Sequence, residues 1–197
     1  MWLGSVFKMR MSILNTATTE QILGERNFTN YPNLKTVTIK GVLSEISNSA
    51  FEGCKQIKSI TATGAVNATG KKVLQLGECA FKDCTGLESV EFTGNLAVSK
   101  NAFEGCTNLG SVKVKESDMA LLENYAFLNC TKLTEADIPG KLLIQEGAFF
   151  ECTSLKKFDF SNVSSIGKIA FYPFLARRLR PLRWEMNCVC YLLDRAS

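Results

Sequence analysis

A small residue followed by phenylalanine returns at near-constant intervals along this chain, and that recurrence restricts the fold more than any other property. Ala50-Phe51, Ala80-Phe81, Ala102-Phe103, Ala126-Phe127, Ala148-Phe149 and Ala170-Phe171 are clear copies, with Asn27-Phe28 an imperfect earlier one. Successive phenylalanines are 23, 30, 22, 24, 22 and 22 residues apart. Three residues after the ring stands Cys54, Cys84, Cys106, Cys130 or Cys152, with Tyr31 in the first copy. Three further on stands Leu34, Ile57, Leu87, Leu109, Leu133 or Leu155. Five before the ring stands Leu23, Ile46, Leu76, Val98, Leu122, Ile144 or Ile166. A period of this length marks a stacked repeat.

The segment after each leucine alternates. Val37-x-Ile39, Ile60-x-Ala62, Val90-x-Phe92, Val112-x-Val114, Ala136-x-Ile138 and Phe158-x-Phe160 place apolar residues at period two. That predicts a strand with one buried face. Turn residues follow, as in Gly41, Gly64, Gly94, Pro139-Gly140 and Ser161-Asn162. The spacing of three in Ala-Phe-x-x-Cys-x-x-Leu suits a short helical turn, too brief to stand alone. Each unit is therefore a strand, a turn, a short extended segment and a helical turn leading to the next strand. No unit buries its apolar side alone, so the units must stack into one long core. The strands, one per coil, then run parallel at about 4.8 Å.

These units resemble the BspA-like leucine-rich-repeat family over about residues 22–171. Ala102-Phe103-Glu104-Gly105-Cys106-Thr107-Asn108-Leu109 and Ser164-Ser165-Ile166-Gly167-Lys168-Ile169-Ala170-Phe171 carry the resemblance best. It implies a leucine-rich-repeat solenoid of six to seven coils of 22–24 residues. A parallel β-sheet would line its concave face, with short helical turns and loops on the convex side. The resemblance also implies a surface or secreted protein, an adhesin-like module that binds host or matrix proteins. The opening residues add no leader to that expectation. Lys8 and Arg10 follow the short apolar stretch instead of preceding it, and no apolar run of about 7–15 residues comes after.

Three segments depart from the pattern. The interval of 30 between Phe51 and Phe81 holds an insertion at about residues 63–72, read as a protruding loop or hairpin. It is either a tolerated insertion or a binding finger. Residues 1–21 alternate through Phe7, Met9, Met11 and Ile13, which predicts a cap strand covering the first coil. After Phe171 the register ends, and residues 172–197 form an irregular basic tail with Arg177, Arg178, Arg180, Arg183 and Arg195 against Glu185 and Asp194. Cap, interaction arm and unrelated sequence all fit that tail.

Composition excludes several functions. The chain has no histidine, which removes Ser-His-Asp and Cys-His catalysis and two-histidine zinc sites. The net charge is +4, and with the tail set aside the body is close to neutral. A nucleic-acid partner needs a basic face that this body lacks. No apolar stretch reaches the ~18–20 residues of a membrane span. Neither a phosphate-binding Gly-rich loop nor a dinucleotide fingerprint occurs, so no cofactor is expected. The repeated cysteines would line one column as small buried hydrophobes, because stacked side chains point alike and disulfides need particular Cβ directions. Cys79 is an extra, and Cys188-Val189-Cys190 alone gives no closed metal site. Asn27, Asn67, Asn129 and Asn162 head N-x-[ST] sequons, Asn67 on the insertion.

Function would then sit on the strand residues facing solvent. The column between the two core positions reads Thr38, Thr61, Glu91, Lys113, Asp137, Asp159, and the one before it ends in Glu135 and Lys157. These columns are polar, mixed in sign and without aromatics, which disfavours stacking on sugars or bases. A non-catalytic face for a protein partner is the first reading. The alternatives are a truncated solenoid fragment with no independent role, and a hydrolase using Asp137 and Asp159 as an acid/base pair.

Overall fold

The computed structural model describes residues 10–14, 22–23, 28 and 36–174. Two ladders of parallel strands run the length of the molecule, and each coil contributes one strand to each. The first ladder holds β1 (Arg10–Leu14), β3 (Thr36–Leu43), β5 (Ser59–Val66), β7 (Ser89–Thr93), β9 (Ser111–Lys115), β11 (Glu135–Asp137) and β13 (Lys157–Phe158). The second holds β2 (Ile22–Leu23), β4 (Glu45–Ile46), β6 (Lys72–Leu76), β8 (Asn95–Val98), β10 (Met119–Leu122), β12 (Lys141–Ile144) and β14 (Val163–Ile166). Among the described residues each ladder holds seven strands, and the result is a parallel β-solenoid.

The second ladder corrects the expectation of one strand per coil. The extended segment before each Ala-Phe pair is itself paired, Leu76 with Val98 and Leu122 with Ile144. Its apolar residue five before the ring is buried between neighbours, as at Ile46, Leu76, Val98 and Leu122. The expected short helical turn is present as a run of hydrogen-bonded turns, with Cys54 N–H donating to Phe51 O and Ile57 N–H to Cys54 O, and it never lengthens into a helix. Among the described residues no helix is long and apolar enough to cross a membrane.

Between the ladders the core is a column of rings. Phe28, Phe51, Phe81, Phe103, Phe127, Phe149 and Phe171 stack face to face, with centroids 4.6–5.2 Å apart and planes within 18°. Coil spacing forces this contact, and its offset geometry suits the ring quadrupoles. Beside the rings, each thiol donates to the carbonyl of the ring residue one coil earlier. Cys84 Sγ reaches Phe51 O at 3.0 Å, Cys106 Sγ reaches Phe81 O at 3.1 Å and Cys130 Sγ reaches Phe103 O at 3.2 Å. The six described cysteines are free, and the five of the column are buried. A small side chain with one weak donor fits this column better than a pure hydrophobe.

The ring turn forms a third ladder made of loops. Residues two before, at, and two after the phenylalanine each donate a backbone N–H to the next coil. In one coil these are Ser49 to Glu78 O, Phe51 to Ala80 O and Gly53 to Lys82 O, each 2.8 Å. Two of the three positions are left-handed: Ser49, Cys79, Asn101, Tyr125, Gly147 and Ile169 before the ring, and Gly53, Asp83, Gly105, Asn129 and Glu151 after it. Alternating hands let the chain bend while every second amide keeps pointing along the solenoid. The left-handed residues cost roughly 1–2 kcal/mol each for L side chains, offset by the axial hydrogen bonds.

The insertion is a hairpin. β5 runs on to Val66 and pairs antiparallel with β6, Ala65 opposite Val73 and Val66 opposite Lys72. Asn67 Oδ1 closes the tip by accepting from Thr69 N–H, Thr69 Oγ1 and Lys71 N–H. The hairpin leans on the solenoid instead of projecting freely: Lys71 pairs with Asp118 at 2.7 Å and Lys72 with Glu116 at 2.6 Å, two coils onward. Exposed pairs of this kind contribute up to about 1 kcal/mol each.

β1 lies parallel to β3, with Met11 opposite Val37 and Ile13 opposite Ile39. It thus holds a coil's place in the first ladder. Phe7 and Met9 lie outside the described residues, as do Arg177, Arg178, Arg180, Arg183, Arg195, Cys188 and Cys190.

The coils approach each other closely at turns such as Pro139-Gly140. Gly140 has φ +81°, and a Cβ there would stand 2.5 Å from Asp118 C and Ser117 O. Gly140→Ala is expected to lose about 2 kcal/mol or more, from left-handed strain together with a clash against backbone. Urea denaturation measures this, and a midpoint equal to the parent's contradicts the packing described for that turn.

Candidate functional site

The register of the first ladder brings the sequence-selected residues into rows. The register pairs Thr38 with Thr61, Thr61 with Glu91, Glu91 with Lys113 and Lys113 with Asp137. Glu135 stands opposite Lys157 in the adjoining row. Alternation does the positioning: Val112 and Val114 are buried while Ser111, Lys113 and Lys115 are exposed. Glu91 does not pair with its in-register neighbour Lys113; Lys115 Nζ reaches its Oε1 at 2.6 Å, diagonally across the coils.

At the C-terminal end this face opens into a groove of about 450 Å³. Glu135, Asp137, Lys157 and Asp159 line it, so four of the eight selected residues meet there. The remaining four, Thr38, Thr61, Glu91 and Lys113, run away from it along the ladder. The groove exists because the strands shorten, β11 to three residues and β13 to two. Its floor includes Phe158, which is only partly buried and meets Phe149 and Phe171 edge-on at 5.3 and 4.7 Å. In this coil both core positions are aromatic, Phe158 and Phe160, where the other coils carry at most one ring, Phe92; Phe160 packs against Phe171 at 5.1 Å.

The Ser161 backbone N–H donates to Asp159 Oδ1 at 2.8 Å. That bond and the Ser161 hydroxyl hold the Asp159 carboxyl below the ordinary range. A general acid at neutral pH needs the opposite shift. Asp159 is therefore an ionised acceptor, suited to a cation or a hydrogen-bond donor and unsuited to giving a proton.

Residues missed by reading strand columns lie on the ring turn. One position after each stacked phenylalanine, Leu128, Phe150 and Tyr172 succeed the charged Glu52, Lys82 and Glu104 of earlier coils. Phe150 and Tyr172 stack at 5.6 Å, and Tyr172 is 43% exposed. The signal was present in the sequence as a change of residue type at one fixed repeat position.

A family model and one solved structure agree with this architecture. The family model described as BspA type leucine rich repeat region (6 copies) matches residues 6–95 and 69–175. Among solved structures, a leucine-rich repeat protein from Eubacterium ventriosum is 25% identical and superposes with a TM-score of 0.58, over 71% of this chain and 40% of that one. This chain thus spans two fifths of that protein's length. The T. pallidum leucine rich repeat protein is 16% identical, with a TM-score of 0.43 over 76% of this chain and 84% of that one. No curated protein matches the chain. With repeat spacing, paired ladders and a family match over most of its length in accord, this chain belongs to the BspA-type leucine-rich repeat family.

Proposed function

We propose that the chain is a non-catalytic binding module whose first-ladder face, ending in the groove between β11 and β13, receives a protein partner. The observation that carries this reading is the convergence of Glu135, Asp137, Lys157 and Asp159 on one groove, at the end of a rigid, in-register polar face. Charges fixed at strand spacing give orientation and selectivity to a partner's complementary charges. The half-exposed Phe158 floor supplies apolar contact that the rest of the face lacks. The family resemblance extends the proposal to an adhesin-like role at a cell surface, with host or matrix proteins as partners.

The test is a solid-phase screen of the full chain against a panel of purified matrix proteins, repeated with Glu91→Lys plus Asp137→Lys. Both side chains face solvent, and Glu91 gives up only one surface ion pair, so the thermal midpoint is expected to stay within a few degrees. Capture of any bound protein is expected to fall at least tenfold. Capture equal to the parent's with a confirmed partner places the site elsewhere.

A further inference from the structure

The edge formed by the ring turns changes character along the solenoid. In the earlier coils the position after the ring carries an ion pair, Lys82 to Glu104 at 2.9 Å. In the last three coils the same position carries Leu128, Phe150 and Tyr172. Two residues before the ring stand Tyr125, Gly147 and Ile169. The Tyr125 ring lies across Gly147, where a Cβ would fall 2.3 Å from Tyr125 Cε1. Its hydroxyl reaches Glu146 Oε1 at 3.2 Å. Ile169 is 38% exposed on the neighbouring turn. Tyr125, Leu128, Phe150, Ile169 and Tyr172 thus form one apolar edge, and no residue of the first-ladder face belongs to it.

We propose that this edge docks a short basic segment of a partner polypeptide, with a Trp, Tyr or Leu anchor set between arginines or lysines. Aromatic side chains on a charge-flanked patch are the composition of interface anchors. The flanking charges choose the partner: over these three turns they are Glu123, Glu146 and Glu151 against Lys132 and Lys168, which leaves the edge acidic. A second copy of the chain is a poor occupant. An isologous contact sets those carboxylates against themselves, and five partly exposed side chains fall far short of the roughly 800 Å² per partner of a stable pair of folded chains. A short segment fits the area and answers the charge. The chain as a whole carries +4, so attraction of a basic segment is a local property of this edge.

The experiment uses the full chain and a fluorescein-labelled dodecapeptide in which Arg alternates with Trp and Leu, with a matched peptide carrying Glu in place of Arg. Fluorescence anisotropy is expected to show saturable binding of the basic peptide and none of the acidic one. Tyr172→Ala should weaken binding at least tenfold. Glu146→Gln with Glu151→Gln, confined to the surface, should weaken it severalfold and flatten its salt dependence. Glu91→Lys with Asp137→Lys should leave it unchanged, which separates this edge from the groove. The proposal is overturned by absence of saturable binding, by equal binding of both peptides, by indifference to the Glu146 and Glu151 changes, or by a dimer that Tyr172→Ala dissociates.

Discussion

Phe127→Ala is expected to destabilise the chain by about 3–5 kcal/mol. Phe127 is fully buried and lies between Phe103 at 5.0 Å and Phe149 at 5.2 Å. Removing the ring opens a cavity bounded by two rigid neighbours, and neither can move without losing the hydrogen bonds of its own turn. Phe103 N–H is tied to Ala126 O and Phe149 N–H to Ala170 O, so the walls relax poorly. Poor relaxation is what raises the cost of a cavity. At roughly 2–4 °C per kcal/mol, the thermal midpoint should fall by about 6–20 °C. Because each coil contacts only its neighbours, the loss should be similar at Phe103 and smaller for an exposed residue such as Lys113. Urea and thermal denaturation of the three variants measure the ordering, and a Phe127→Ala midpoint matching that of Lys113→Ala refutes the ring column.

Alkaline pH is expected to unfold the chain through its thiols. Burial raises Cys84, Cys106 and Cys130 well above the ordinary thiol value and pushes Cys54 up to about 11. An unfolded thiol ionises from about pH 8.5. Above that pH the unfolded chain binds fewer protons than the folded one, so stability falls as pH rises. The contribution is complete below pH 8.5 and disappears as pH climbs through the folded values. One pH unit above the ordinary value, each fully buried thiol has given up about 1.4 kcal/mol, on the order of 4 kcal/mol for Cys84, Cys106 and Cys130 together. Cys106→Ala should be less stable at neutral pH and should show a shallower decline between pH 8.5 and 10. Parallel decline in parent and variant shows that these thiols are not the titrating groups.

The features that could be read in advance are those with one chemistry at one repeat position. The phenylalanine, cysteine and leucine columns are such features, because a dry core accepts few residue types at each site. The second ladder was legible only as an extended segment. Its strands run two to five residues, too short for alternation to be distinctive, and pairing with the next coil is what makes them strands. The left-handed positions were invisible for a different reason. Ser49, Cys79, Asn101, Tyr125, Gly147 and Ile169 share no chemistry, since coil closure imposes their backbone and their own preferences do not. The unexplained Cys79 of the sequence is one of these corners.

The candidate face was legible as columns but its groove was not. Columns follow from alternation alone, whereas the groove depends on where β11 and β13 stop pairing. Spacing also does not encode the Ser161 amide, whose hydrogen bond suits Asp159 to accepting rather than giving a proton. The aromatic edge does not follow from strand alternation because it lies on turns, where binding residues are disproportionately found.

Residue-resolved alkylation tests the stacked core most directly. The native chain is treated with iodoacetamide, quenched, digested and quantified cysteine by cysteine by mass spectrometry. The buried thiols of Cys84, Cys106, Cys130 and Cys152 should stay unmodified while the partly exposed Cys79 reacts slowly, and all should react in denaturant. Labelling of Cys106 or Cys130 in the native state as fast as in denaturant would mean that the coils do not close over a dry column of rings and thiols.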